Sequence, residues 1–444
     1  MVVVCGATEL ADVGDVKKAA AVKATALPGP HRLVGTALDG VKVVNICSGP
    51  ASNHCVAITD KGACFVWGKN HRGQLGVGDE QLRNCPTPVA GALAKEVVVA
   101  AATGKAHTVF ITAKGQVWAA GDNKFGCVGP AVKKKQETAP VAILVPGISG
   151  AVSVACGADF SMVTTSSGKL FAFGWSEFGQ LGFGTDGSFN QSASSVKITY
   201  EAEREPRSVP GFGGKPVVQV ACGPHHSCAL TSDGTAFTWG CGNYCRLGHQ
   251  ELGQKDLWTP KPIPSFLFRT VSCGNAWTSG VGWQVHSSAA VKPSGAGMLF
   301  QWGRMNPTKD AAMYPKPEYE LQGWDVRHMA SGNSHCTLVA EGSTISWGTG
   351  CAYGELGYGP AGAKSSAKPK KMDLMEGVAV GAVACGMGHS LFLAEAGKSD
   401  EGAAALALPA FTPPEDRVAA SAAQSKGGKR GAAAAAPKGK KAKK

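Results

Sequence analysis

The chain has 444 residues, 44% of them hydrophobic, and a formal net charge of +12. No apolar run approaches the roughly 18 residues of a membrane-spanning helix, and Met1–Leu10 lacks the basic lead and long apolar core of a secretory signal. The cysteine count is odd, at 15, which argues against a secreted disulfide scaffold and for a reducing compartment.

The predicted elements begin with one short strand, Val2-Val3-Val4-Cys5, ending at Gly6. A long link is expected over residues 7–46, with Gly29-Pro30-His31-Arg32 inside it. Blades of a repeat follow at about 47–100, 101–153, 154–217, 218–270, 271–328 and 329–381. The clearest copy is Pro216–Gln250. Val217 to Cys222 is a β-branched run that stops at Gly223. Ser227 to Thr231 follows, then the turn Ser232-Asp233-Gly234, then Thr235 to Trp239 and Gly240. These residues suit a pleated, packed surface joined by tight turns. A Gly-rich loop ending at Gly248 leads to a fourth, outer strand, and four such strands make a propeller blade.

The count of repeats sets the fold. The Gly before the second strand recurs at Gly49, Gly104, Gly157, Gly223, Gly274, Gly332 and Gly386, spaced 51 to 66 residues apart. The Gly ending the third strand recurs at Gly6, Gly68, Gly121, Gly174, Gly240, Gly303 and Gly348. The chain therefore opens with the end of a blade and closes, at Val383–Ala394, with the beginning of one. The expectation is an all-β, seven-bladed propeller over residues 1–397, its last blade shared by both termini so that no sheet edge stays unpaired. An extended segment over 398–417 and a disordered polybasic tail over 418–444 are expected to follow.

Two links are unusual. Thr185–Lys215 carries Asp186, Glu201, Glu203, Arg204, Glu205 and Arg207 and accounts for the 66-residue spacing. Pro360–Lys371 carries Lys364, Lys368, Lys370 and Lys371. Insertions in propellers map to faces, where partners bind.

The motifs point away from bond-breaking chemistry. The Gly73–Gly78, Gly179–Gly182 and Gly354–Gly357 loops recur once per blade with no helix after them, so they are turn scaffolds rather than phosphate cradles. Gly359–Ser365 lacks the second Gly of a P-loop. Cys241 and Cys245 have no matching second pair for zinc, and the cysteines before the turn glycines (Cys156, Cys222, Cys273, Cys385) suit small buried positions. His54, His107, His226, His335 and His389 occupy one repeat position around a ring and cannot converge on one substrate. They are expected to use both ring nitrogens to tie each blade's inner turn to its neighbour. No metal or cofactor is implied.

After Arg417 the chain has eight cations (Lys426, Lys429, Arg430, Lys438, Lys440, Lys441, Lys443, Lys444) and no anion; removing them takes the net charge from +12 to +4. Such a tail can neutralise phosphates or direct nuclear import.

The repeat resembles that of the regulator of chromosome condensation family, on Ala221-Cys222-Gly223, His226-Ser227, Ala229-Leu230-Thr231, Gly234 and Thr238-Trp239-Gly240, over about residues 1–413. Non-repeat stretches such as Cys5-Gly6-Ala7-Thr8, Gly157–Met162, Asp186–Phe189 and Met313–Lys316 are similar to a mitotic branch of it. That resemblance implies a monomeric interaction protein of nucleus and cytoplasm, found on chromosomes or spindle in mitosis, that binds a Rac-, Ral-, Arf- or Ran-type small GTPase. It also implies possible nucleotide-exchange activity, with Asp159 and His225 as GTPase-face positions beside the decorated link. The alternative is a chromatin or microtubule scaffold without effect on GTPases.

Overall fold

The computed structural model describes residues 1–15, 17–130, 137–192, 195–285, 296–395 and 400–416. Seven antiparallel sheets stand around one axis. Their inner strands are Val43–Cys47, Val98–Thr103, Ala151–Cys156, Val217–Cys222, Phe266–Cys273, Val326–Ser331 and Val380–Cys385. Each packs against the inner strands on both sides, and the series closes from the seventh back to the first. Strand order within each blade follows the chain outward, ending for the fourth blade at Leu257–Pro262 and for the sixth at Ser366–Lys371.

The seventh blade is built from both ends of the chain, as the repeat count requires. Val2–Gly6 pairs with His389–Ala394 in the register Val2↔Leu393, Val3↔Phe392, Val4↔Leu391, Cys5↔Ser390 and Gly6↔His389. Its outer strand is Leu27–Leu33, within the stretch expected to be a plain link. Pro28, Gly29 and Pro30 disguise it, and an outermost strand tolerates such residues because one edge carries no ladder. A fifth strand, Ala410–Phe411, pairs parallel to it at Arg32 and Leu33. The segment after 398, expected to be extended, instead holds the helix Asp400–Ala407 and this strand. Ala405 and Leu408 are drawn into the apolar cluster of Val3, Met375, Val378 and Phe392.

The core consists of seven apolar clusters, one at each interface between neighbouring blades. Side chains alternate across a strand. Val2 therefore enters the cluster facing the first blade, and Val3 and Cys5 enter the one facing the sixth. Burying such side chains contributes about 1.5–3 kcal/mol each, and each interface multiplies that many times.

The recurring histidines clip the blades together. The Nε2 atom of His54 lies 2.7 Å from Thr108 Oγ1, that of His107 3.0 Å from Ser161 Oγ, and that of His226 2.9 Å from Thr278 Oγ1. His335 reaches Ser390 Oγ at 2.8 Å, and His389 closes the circle on Ser48 Oγ at 3.0 Å. In the first four, each hydroxyl sits in the next blade and gives its only proton to a loop carbonyl: Gln74, Cys127, Arg246 and Glu355 respectively. The imidazole must then be the donor, with a proton on Nε2.

The second nitrogen behaves otherwise than expected. Nδ1 of His107, His226, His335 and His389 has no partner; only that of His54 meets a hydroxyl, Ser52 at 3.0 Å. The reason is steric. The ring lies flat on the turn glycine of its own blade, so that a Cβ on Gly223 would stand 2.2 Å from His226 Cε1. A ring contact of this kind also explains the glycine in six of the blades, while in the first a Cβ on Gly49 would meet the Thr103 carbonyl at 2.6 Å. Phe160 and Trp277 replace histidine in the third and fifth blades.

Burial holds His54 and His335 down to about 3, and His107 and His389 down to about 4. An unfolded histidine titrates near 6.5. The folded state thus binds fewer protons between these values; its stability is complete above about pH 6.5 and is lost as pH falls toward 4. Each such histidine contributes up to about 1.4 kcal/mol per pH unit in that window. Thermal unfolding should show the midpoint dropping from pH 7 to pH 5. The variant His107→Asn, less stable at pH 7, should show a slope shallower by about one proton.

Candidate partner-binding face

Because every blade repeats the same strand order, the turns between first and second strands gather on one face of the ring. The loops between third and outer strands join them there. Asp159 and His225 occupy such turns in the third and fourth blades, tied by a backbone bond from Ala158 N to Pro224 O of 3.0 Å. Asp159 is half-buried; burial raises its carboxyl above the ordinary range, with Lys105 opposing. Burial, reinforced by Arg246, pushes His225 down to about 4, so it is neutral near pH 7. Its ring sits edge-on to Phe178 at 5.1 Å.

The long link in the third blade forms a small hairpin on this face, Ser188–Asn190 paired with Ile198–Tyr200. Asp186 and Glu201 stand at its root. The buried hydroxyl of Ser176 bonds to both of their carbonyls, at 2.9 and 2.8 Å, and Glu201 N donates to Gly187 O at 2.8 Å. Below the hairpin Trp175 packs on Phe125 at 4.3 Å and edge-on to Tyr200 at 5.8 Å.

Glu203, Arg204 and Arg207 lie on the outer strand Glu203–Ser208. Their groups are engaged within the chain. Arg204 donates to the carbonyls of Asn123 and Lys124 in the second blade, both at 3.0 Å. Arg207 pairs with Glu203 at 3.7 Å and lies over the Phe183 ring. The candidates therefore divide: Asp159, His225, Asp186 and Glu201 share a face, while the two arginines brace the loop that supports it. The eight tail cations, Lys426 to Lys444, lie outside the described residues.

Two features escaped the sequence reading. The hairpin exposes apolar side chains on both of its sides: Phe189 is 47% exposed, Ile198 54% and Val196 85%. Nothing among the described residues covers them. Beside it, a cavity of about 500 Å³ is lined by Lys69, Arg72, Lys105, Lys124, Asp122 and Asp159, with Asp15 of the N-terminal link at its edge. Repeat alignment places Lys105 in the second blade's equivalent of the turn that holds Asp159, and that signal was available in the sequence.

Among the described residues the recurring Ser/Thr–His pairs do not open onto this face. The Ser/Thr–His pairs resemble nucleophile–base dyads, yet His54, His107, His226, His335 and their hydroxyl partners are fully buried, and the protons point at loop carbonyls. Among the described residues no cluster of His, Cys, Asp or Glu could hold a metal ion. Cys241 and Cys245 are free thiols.

A family model described as the regulator of chromosome condensation (RCC1) repeat matches residues 61–111, 114–164, 167–230 and 233–280. A second model of that repeat matches 43–74, 98–127, 151–180 and 217–245. Human protein RCC2 is 36% identical over 397 residues, which cover 87% of this chain and 73% of that protein. The chain belongs to the regulator of chromosome condensation repeat family. The RCC2 homolog of Danio rerio is 37% identical over 402 residues, covering 87% and 77%. Among solved structures, Prp20p of Saccharomyces cerevisiae shares the fold at a TM-score of 0.70 and 22% identity, over 91% of this chain and 93% of that one. Human WBSCR16 does so at 0.70 and 22%, over 89% and 99%.

Ser176 generates a test of the hairpin's anchorage. Ser176→Ala leaves two partly buried carbonyls without their donor, at a cost of about 1–3 kcal/mol. The thermal midpoint should fall, and amide exchange at Asn190 and Ile198 should accelerate relative to the blade strands.

Proposed function

We propose that this propeller is a GTPase-interacting regulator of chromatin that works by binding. The observation that carries the proposal is the free-standing hairpin. It presents Phe189, Val196 and Ile198 on the face that holds Asp159 and His225, and two strands alone gain too little from pairing to justify such exposure without a partner. Family membership supports the reading, as does the fold shared with yeast Prp20p, a protein studied for its binding to Gsp1p and histones. The partner is a small GTPase of Rac, Ral, Arf or Ran type. Chromatin attachment is assigned to the basic segments, the tail Lys426–Lys444 among them, with residence in nucleus and cytoplasm and on chromosomes or spindle in mitosis.

Exchange would follow from linkage. A surface that prefers the nucleotide-free GTPase lowers nucleotide affinity by the factor by which nucleotide lowers its own, and no bond is made or broken. Apolar hairpin residues would anchor the contact, and the neutral His225 would add no charge to it.

Binding of the full chain to Rac-, Ral-, Arf- and Ran-type GTPases, each nucleotide-free and GTP-loaded, tests this. One of them should bind at least tenfold tighter when nucleotide-free, and excess GTP should dissociate the complex. The double variant Phe189→Ala, Ile198→Ala should weaken it by about tenfold or more while the thermal midpoint holds. Equal affinity for both nucleotide states eliminates exchange, and an unchanged variant removes the hairpin from the contact.

A further inference from the structure

We infer that the outer rim of the sixth blade is a second contact for the phosphate backbone of duplex nucleic acid, a proposal that rests on the chromatin part of the reading above. The rim is the strand Ser366–Lys371 with the loop before it, and Lys364, Lys368, Lys370 and Lys371 are all exposed.

Its charge is not what an outer strand requires. Lysines on sheet edges discourage edge-to-edge pairing, but the other blades manage with less. Leu257–Pro262 and Ala312–Pro317 carry one lysine each, Thr138–Val145 carries none, and Glu203–Ser208 balances two arginines with two glutamates. Ser366–Lys371 has three lysines and no acid.

The surroundings keep these charges available. Glu320 is taken by Lys368, and Asp325 by Arg269 and Arg327. Glu318 is half-buried, and Asp373 stands just past the strand end. Among the described residues, Lys364, Lys370 and Lys371 have no carboxylate within ion-pair distance. Two are held in place by rings instead: Lys370 Nζ lies 4.8 Å from the Tyr358 centroid and Lys371 Nζ 5.2 Å from that of Trp324. A cation held over a ring keeps its charge and loses less freedom on meeting a phosphate.

The chemistry selects the partner. Lys370 and Lys371 cover the Tyr358 and Trp324 rings; Tyr319 and Leu374 are exposed nearby, but the strand itself presents three cations and no large apolar side chain as an anchor of the kind protein interfaces are built around. Backbone phosphates need none.

The test compares the full chain with the full-chain triple variant Lys364→Ala, Lys370→Ala, Lys371→Ala on a 30-base-pair duplex of arbitrary sequence. Affinity is measured across salt concentrations. Each lost phosphate contact lowers the slope of log affinity against log salt by about 0.9, so the variant's slope should be shallower by about 2–3. Replacement of the same three by arginine should retain the slope. The thermal midpoint should not move, because all three side chains are exposed. Duplex binding with an unchanged slope would overturn the rim while leaving the chromatin reading intact. A variant that loses only a poly-glutamate peptide, and not the duplex, overturns the choice of partner. Absence of duplex binding by the unaltered chain overturns both.

Discussion

The ladder between Val2–Gly6 and His389–Ala394 is the constraint on which the rest of the structure depends. A ring of seven blades has seven interfaces, and each apolar cluster draws side chains from two neighbours. Val2 and Val3 point to opposite sides of one strand and so serve two different clusters. Without this strand the sixth-to-seventh and seventh-to-first interfaces would both lose their centres. The second strand of the last blade would also become an open edge. The helix Asp400–Ala407 and the strand Ala410–Phe411 reinforce the same seam. The chain then reaches the first blade, where Asn84 N donates to Asp416 Oδ1 at 2.6 Å.

The histidines serve that closure by a different means. Dispersion and burial hold neighbouring blades together without fixing their height along the axis. A directed bond from Nε2 to a hydroxyl that is itself committed to a loop carbonyl fixes it. His389, reaching Ser48 and also lying 3.1 Å from Cys55 Sγ, does this across the chain termini. The arrangement needs a neutral ring, which burial supplies, and gives up one nitrogen to contact with a glycine. These groups look like catalytic dyads in composition and act as clips in geometry.

A rigid ring of this kind leaves function to what stands on it. One face carries the turns of Asp159 and His225, the basic cavity and the hairpin with its uncovered Phe189, Val196 and Ile198. The rim carries the lysines of the sixth blade. These surfaces lie on different blades, the third and the sixth, so the proposed GTPase and the proposed duplex need not compete. Arg204, which bridges the second and third blades, and Arg207, held by Glu203 and the Phe183 ring within the third, contribute support rather than free charge.

The sequence by itself determined the number of blades and the sharing of the last one. Those facts rest on local physics: a turn glycine pressed by an aromatic or imidazole ring, and a second glycine at positive φ (Gly240, +97°) whose Cβ would strike the His225 carbonyl at 2.8 Å. The ring contact recurs in six blades, Gly49 meeting the Thr103 carbonyl instead, and the positive φ recurs in six, Gly348 being the exception; both are written at fixed spacing. The outer strand Leu27–Leu33 was hidden, because prolines that mark a loop in isolation are permitted on an edge that only the closed ring defines. The helix Asp400–Ala407 was hidden too, since its apolar residues acquire a partner only when the far end of the chain arrives. Which nitrogen of each histidine is used, which arginines are already spent, and which lysines remain unpaired were decided by contacts between residues tens to hundreds of positions apart. No local pattern encodes such contacts, so tertiary structure alone could settle them.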